Sequence, residues 1–134
     1  MLLKKPLWIA LLAAGAAIFA IVLSNANSTE TEQGVVIVPA LSETAMQGQD
    51  LFAANCASCH GANGSGSGKG PPLIHVIYEP SHHGDAAFVI AMRQGVRAHH
   101  WQFGDMAPIE GISVEDMQAI ITFVREVQAA NGID

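Results

Sequence analysis

Basic residues are scarce. Six lysines and arginines stand against twelve aspartates and glutamates, and the formal net charge is −6. Two of those six bases, Lys4 and Lys5, precede the first acid, so residues 27–134 hold all twelve acids and four bases. This balance argues against nucleic acid or an anionic lipid surface as the partner of the folded part. It suits a partner with a basic or mixed docking face. Cysteine is scarcer still: Cys56 and Cys59 are the only two. One pair separated by two residues excludes a disulfide framework, and the lack of a second pair excludes a four-cysteine zinc site. Neither cysteine is near the start, which excludes a lipid-modified cysteine there. A length of 134 residues allows one domain with a leader or tail, not two domains.

The uncharged run Leu7–Leu23 has 17 residues, roughly 26 Å as a helix, beside a bilayer core about 30 Å thick. It has no polar face, and the plainer alternative, a buried helix of the globular domain, is set aside. Ser24-Asn25-Ala26 offers small residues to a signal peptidase. Residues 1–26 therefore read as a membrane anchor or a cleaved signal peptide, the retained anchor being preferred. In either case Lys4 and Lys5 stay in the cytoplasm and the rest of the chain is exported. Residues 27–42 read as a polar linker, with Val35–Val38 as a short extended segment.

Residues 56–60 read Cys-Ala-Ser-Cys-His, the Cys-x-x-Cys-His signature of covalent haem attachment. Thiols three positions apart on a helical turn reach the two vinyl groups on one porphyrin edge. The histidine that follows is carried beneath the iron. A thioredoxin-like pair would need a strand before the motif, where this sequence is helical, and a zinc site would need two further ligands. Export agrees with haem, because thioether formation takes place on the exported side of the membrane. For the sixth iron ligand, Met106 stands in Phe103-Gly104-Asp105-Met106-Ala107-Pro108. A thioether sulfur is soft and neutral, favours ferrous iron, and raises the potential. Met46, Met92 and Met117 fall on apolar helical positions and read as core.

Here the chain resembles the class I c-type cytochromes, whose distal methionine lies in a similar Gly-x-Met-x-Pro loop before the last helix. The family often has proline directly after methionine; here Ala107 intervenes. The resemblance covers about residues 43–131. It implies an all-α fold, a small cytochrome c-like helical domain (residues 43–134) wrapped around one covalent haem c and preceded by an N-terminal apolar helix. It implies His60 and Met106 as iron ligands. It also implies that the Pro71 carbonyl of Gly70-Pro71-Pro72-Leu73 accepts the His60 Nδ1–H, and that Leu73 packs on the haem face. Trp101 and Phe103 would wall the distal side, with the Trp101 N–H reaching a propionate.

Ser42 is placed to cap a helix ending near Asn55, with Ala45, Gly48 and Phe52 on one face. Asp85–Gln94 reads as a second helix stopped by Gly95. Ser113 and Asp116 open the last helix, whose stripe is Met117, Ile120, Ile121 and Val124 and whose stop is Asn131-Gly132. In the family the first and last helices cross near a right angle on a glycine and two aromatics, roles that fit Gly48 and Phe52 against Ile120 and Phe123. The core is small for an isolated domain, so the haem-free form is expected to be largely unfolded. Far-UV circular dichroism of haem-free protein checks this; a native-like helical spectrum contradicts it.

Gly61–Gly70 holds five glycines but not the spacing of a phosphate loop, and reads as a flexible loop. The pairs His82-His83 and His99-His100 read as exposed loop residues, as groups near the haem edge or propionates or at a docking face, or as ligands of a second metal or a bis-histidine haem. The leading functional reading is a single-electron carrier on the periplasmic side of the inner membrane, exchanging electrons with a respiratory complex or an exported reductase or oxidase. Alternatives are a haem-based sensor or catalytic haem module with a labile distal ligand, and a cytochrome subunit of a larger oxidoreductase.

Overall fold

The computed structural model describes residues 35–134. The apolar helix expected over 7–23 lies outside the described residues. Within them, no helix is long and apolar enough to cross a membrane.

Among the described residues, four helices carry the fold. α1 spans Glu43–Asn55, α2 Ala57–His60, α3 Asp85–Gln94 and α4 Val114–Ala130. Single 3-10 turns occur at Ala62–Gly64 and Val76–Tyr78. Among the described residues there is no strand, only one isolated antiparallel bridge between Val96 and Met106. The helix ends follow local chemistry. Ser42 Oγ accepts the Ala45 N–H at the start of α1. Ser113 and Asp116 form a reciprocal capping box at the start of α4. α3 ends at Gly95, whose φ of +76° a side chain would resist. A Cβ there would also overlap the Met106 carbonyl oxygen. A glycine is therefore needed for the bridge between Val96 and Met106 to close.

The core is the crossing of α1 over α4. Ala45, Gly48 and Phe52 from α1 are buried against Met117, Ile120, Ile121, Phe123, Val124 and Val127 of α4. The Phe52 and Phe123 rings lie 5.5 Å apart at 56°, a tilted pairing that aromatic quadrupoles favour. Met92 and Met117 are buried, as expected, but Met46 is 52% exposed. One position after Ala45, it is turned about 100° away from the buried stripe.

The folded body starts upstream of residue 43. Residues 35–42, expected as linker, lie along α4. Val36, Val38 and Leu41 pack against the core. Asn131 clamps Ile37, its Oδ1 accepting the Ile37 N–H at 3.0 Å and its Nδ2 donating to the Ile37 carbonyl at 2.7 Å. Glu126 accepts the N–H and hydroxyl of Ser42. The alternation of Val36 and Val38 explains the packing, since every second residue of an extended segment faces the same way.

A polar knot on α4 secures the opposite side. Gln128 has no exposed surface. Its Nε2 donates to the carbonyls of Leu73 (2.8 Å) and Tyr78 (3.0 Å), and its Oε1 accepts from Arg125. Arg125 also donates to the carbonyls of Tyr78 and His83, pairs with Asp85 at 2.8 Å, and lies over the Phe88 ring. Gln128→Leu would keep the volume and strand the Leu73 carbonyl and an Arg125 N–H. Leaving buried polar groups unpaired costs about 1–3 kcal/mol each, so the variant should lose roughly 2–6 kcal/mol, read as a lowered guanidinium midpoint at unchanged slope.

Candidate haem site

Cys56 is the C-cap of α1, and α2 carries Cys59 and His60. The backbone turns tightly, the N–H groups of Cys59 and His60 both bonding the Cys56 carbonyl, at 3.1 and 2.9 Å. The two thiols are thus one helical turn apart. Cys56 is buried within the core cluster and Cys59 is exposed, and both are free. Burial, and then the nearness of Cys59, push the Cys56 thiol up to about 11. It is therefore neutral at ordinary pH.

His60 follows directly. Its Nδ1 lies 2.9 Å from the Pro71 carbonyl oxygen. A carbonyl can only accept, so Nδ1 carries the proton and Nε2 keeps its lone pair. That is the tautomer an iron ligand requires. The segment between the two residues is closed by hydrogen bonds, unlike the flexible loop the glycines suggested. The Gly66 N–H bonds the His60 carbonyl, the Leu73 N–H bonds the Gly64 carbonyl, and Ser67 Oγ donates to the Cys59 carbonyl. Gly64, Gly66 and Gly70 are buried. The glycines serve close backbone approach: a Cβ on Gly70 would sit 2.9 Å from the Cys59 carbonyl oxygen.

Met106 is fixed by its backbone. Its N–H bonds the Val96 carbonyl and its carbonyl accepts the Val96 N–H, both at 2.9 Å. The side chain is half-buried. Leu73 is half-buried against the core, and Trp101 is half-buried with its ring edge-on to His75 at 5.1 Å. Phe103 is 41% exposed, 6.3 Å from the Trp101 ring. His75 has no sequence signal of its own. Its Nδ1 accepts the Ile77 N–H, which leaves the proton on Nε2.

The residues present fit a haem. The buried Trp101 Nε1 has no hydrogen-bond partner. The Tyr78 phenol is close enough for the indole to oppose the upward shift that burial gives it. No hydrogen bond of good geometry to the phenol or any other group forms, a buried donor so left is rare, and a propionate oxygen would satisfy it. Two thiols one turn apart, an imidazole with a free Nε2 and a thioether form the donor set of haem c.

The family model for cytochrome c matches residues 45–128. The chain belongs to the cytochrome c family. No curated protein and no solved structure matches it. The cytochrome c match runs from the third residue of α1 into the last turn of α4, and with it covers every residue discussed at this site. Members of the family bind haem c covalently and transfer electrons to and from redox partners, and this cytochrome is a haem-dependent electron-transfer protein.

Proposed function

We propose that this cytochrome carries one haem c, which Cys56 and Cys59 would hold by thioethers and whose iron His60 Nε2 and Met106 would ligate. The observation that carries this reading is the 2.9 Å contact from His60 Nδ1 to the Pro71 carbonyl directly after the paired thiols. Pro71 holds the proximal ring. Leu73 lines the haem face, and the Trp101 indole donates to a propionate. Haem supplies a one-electron couple. With His60 and Met106 both ligating, the protein would leave no vacant position on the iron, so that oxidation and reduction would need little rearrangement and no substrate would reach it. The protein is therefore an electron carrier rather than an enzyme.

It works on the periplasmic side of the inner membrane, tethered by residues 7–23 or released after cleavage. Its partners are respiratory complexes or exported reductases and oxidases. The excess of twelve acids over four bases in residues 27–134 favours a partner with a basic face.

The test is expression of the full chain with a working haem-attachment system. The expected product is red, with haem that stays on the polypeptide under denaturing electrophoresis. Cys56→Ala/Cys59→Ala should lose all covalently held haem. A colourless wild-type protein, or covalent haem in the double variant, would overturn the attachment. Ready carbon monoxide binding by the ferrous wild-type protein at neutral pH would overturn the filled sixth position.

A further inference from the structure

The two histidine pairs are remote from each other in sequence and adjacent in space. His82 and His83 lie in the turn before α3; His99 and His100 lie in the loop between Val96 and Met106. The His82 and His100 rings are 5.4 Å apart, His83 and His100 5.2 Å, and His83 and His99 6.0 Å. One ring nitrogen from each of His82, His83 and His100 lies within 4.8 Å of the other two. Neighbouring residues on a helix diverge, but neither pair is helical, so both members of a pair can face the same point.

His83 is held as a metal ligand would be. Its Nδ1 is 2.6 Å from the Ile77 carbonyl oxygen, so it carries the proton there and presents a free Nε2, as at His60. Its backbone N–H bonds the Glu79 carbonyl and its carbonyl accepts Arg125 Nη2 at 2.6 Å. His99 is similarly set, Nδ1 donating to the Arg97 carbonyl at 2.9 Å. His82 and His100 are exposed and free to turn inward.

We propose that His82, His83 and His100 bind a divalent late first-row cation, Cu2+ or Zn2+, other than the haem iron. Three imidazole nitrogens suit these ions and not Mg2+ or Ca2+, which take oxygen. At zinc–nitrogen bonds of 2.0–2.1 Å, tetrahedral ligand atoms lie about 3.4 Å apart. Side-chain rotation of His82 and His100 closes that difference while His83 stays fixed. The open fourth position takes water or the His99 Nε2. Bound metal would join the turn before α3 to the loop that leads to Met106. The site's chemistry does not depend on the haem ligand assignment.

The test uses full-length ferric holo-cytochrome without a histidine tag, so that added Cu2+ finds no ferrous iron to oxidise. Equilibrium dialysis against Zn2+, and separately Cu2+, should give one ion per protein, with Cu2+ tighter. Electron paramagnetic resonance of the Cu2+ form should show hyperfine splitting from imidazole nitrogen. His82→Ala and His100→Ala each remove an exposed ring and should weaken binding at least tenfold, about the minimum that loss of a supporting group costs a metal site. Their combination should abolish binding. An unchanged Soret spectrum in these variants reports an intact haem domain. No stoichiometric binding of either ion, or wild-type affinity in His82→Ala/His100→Ala, would overturn the proposal.

Discussion

In the Met106→His variant the reduction potential should fall by a substantial share of the roughly 0.8 V over which axial ligands set haem potentials. Thioether sulfur donates weakly and favours the ferrous state; a second imidazole is a better donor to ferric iron. The backbone at this position is held from both directions by Val96, so substitution changes the donor atom and leaves the chain path in place. Met106→Ala should open the sixth position, and the ferrous protein should then bind carbon monoxide readily. Potentiometric titration reads the first effect and a difference spectrum the second. If both variants kept the wild-type potential and neither ferrous form bound carbon monoxide, the axial ligand would have to be another residue.

The second large effect is structural. Gly48→Val should yield little or no folded holo-protein. A Cβ on Gly48 would overlap the Ala119 carbonyl oxygen of α4 and come within 3.0 Å of the Phe123 Cβ. The first obstacle is helical backbone, which no rotamer change can move. The two helices would have to separate, and the Phe52–Phe123 contact would open with them. Overpacking a core costs about 1–3 kcal/mol even where side chains can adjust. Here they cannot, and a domain of this size has only about 5–15 kcal/mol in total. Gly48→Ala meets the same carbonyl with a smaller group. It should fold with a clearly lowered denaturation midpoint while His60 and the thiols remain as they were. Haem yield per milligram and guanidinium unfolding of both variants measure the series. Wild-type stability in Gly48→Val would mean that α1 and α4 do not cross at this glycine.

Much of the helical frame was legible because it is written in short-range chemistry. Ser42, Ser113 with Asp116, and Gly95 mark helix ends through groups no more than a few residues apart, and α1, α3 and α4 begin or stop at them. The candidate site was legible in part because Cys56, Cys59 and His60 are contiguous. What escaped depends on contacts between distant residues. Gln128 looks like a surface residue late in an amphipathic helix, and only the folded chain brings the Leu73 and Tyr78 carbonyls to its amide. His82 and His100 become neighbours only once Arg125 has pinned the turn before α3 and Val96 has met Met106. The glycines of 61–70 suggested slack because composition does not reveal how closely a backbone will be approached. Met46 is a plainer lesson: the period that put Ala45, Gly48 and Phe52 inside already turned it outward.

The paired bonds between Val96 and Met106 have an engineering consequence. They cinch the chain at the neck, and residues 97–105 form an ear closed at its own base. Doubling the length of such an ear adds only about 0.6 kcal/mol of closure entropy. Its length can therefore change at exposed positions such as Gln102 and Gly104, away from the half-buried Trp101, while the methionine at its root stays where it is. The fold thus separates a fixed attachment point from a variable appendage, and two of the four clustered histidines ride on the appendage.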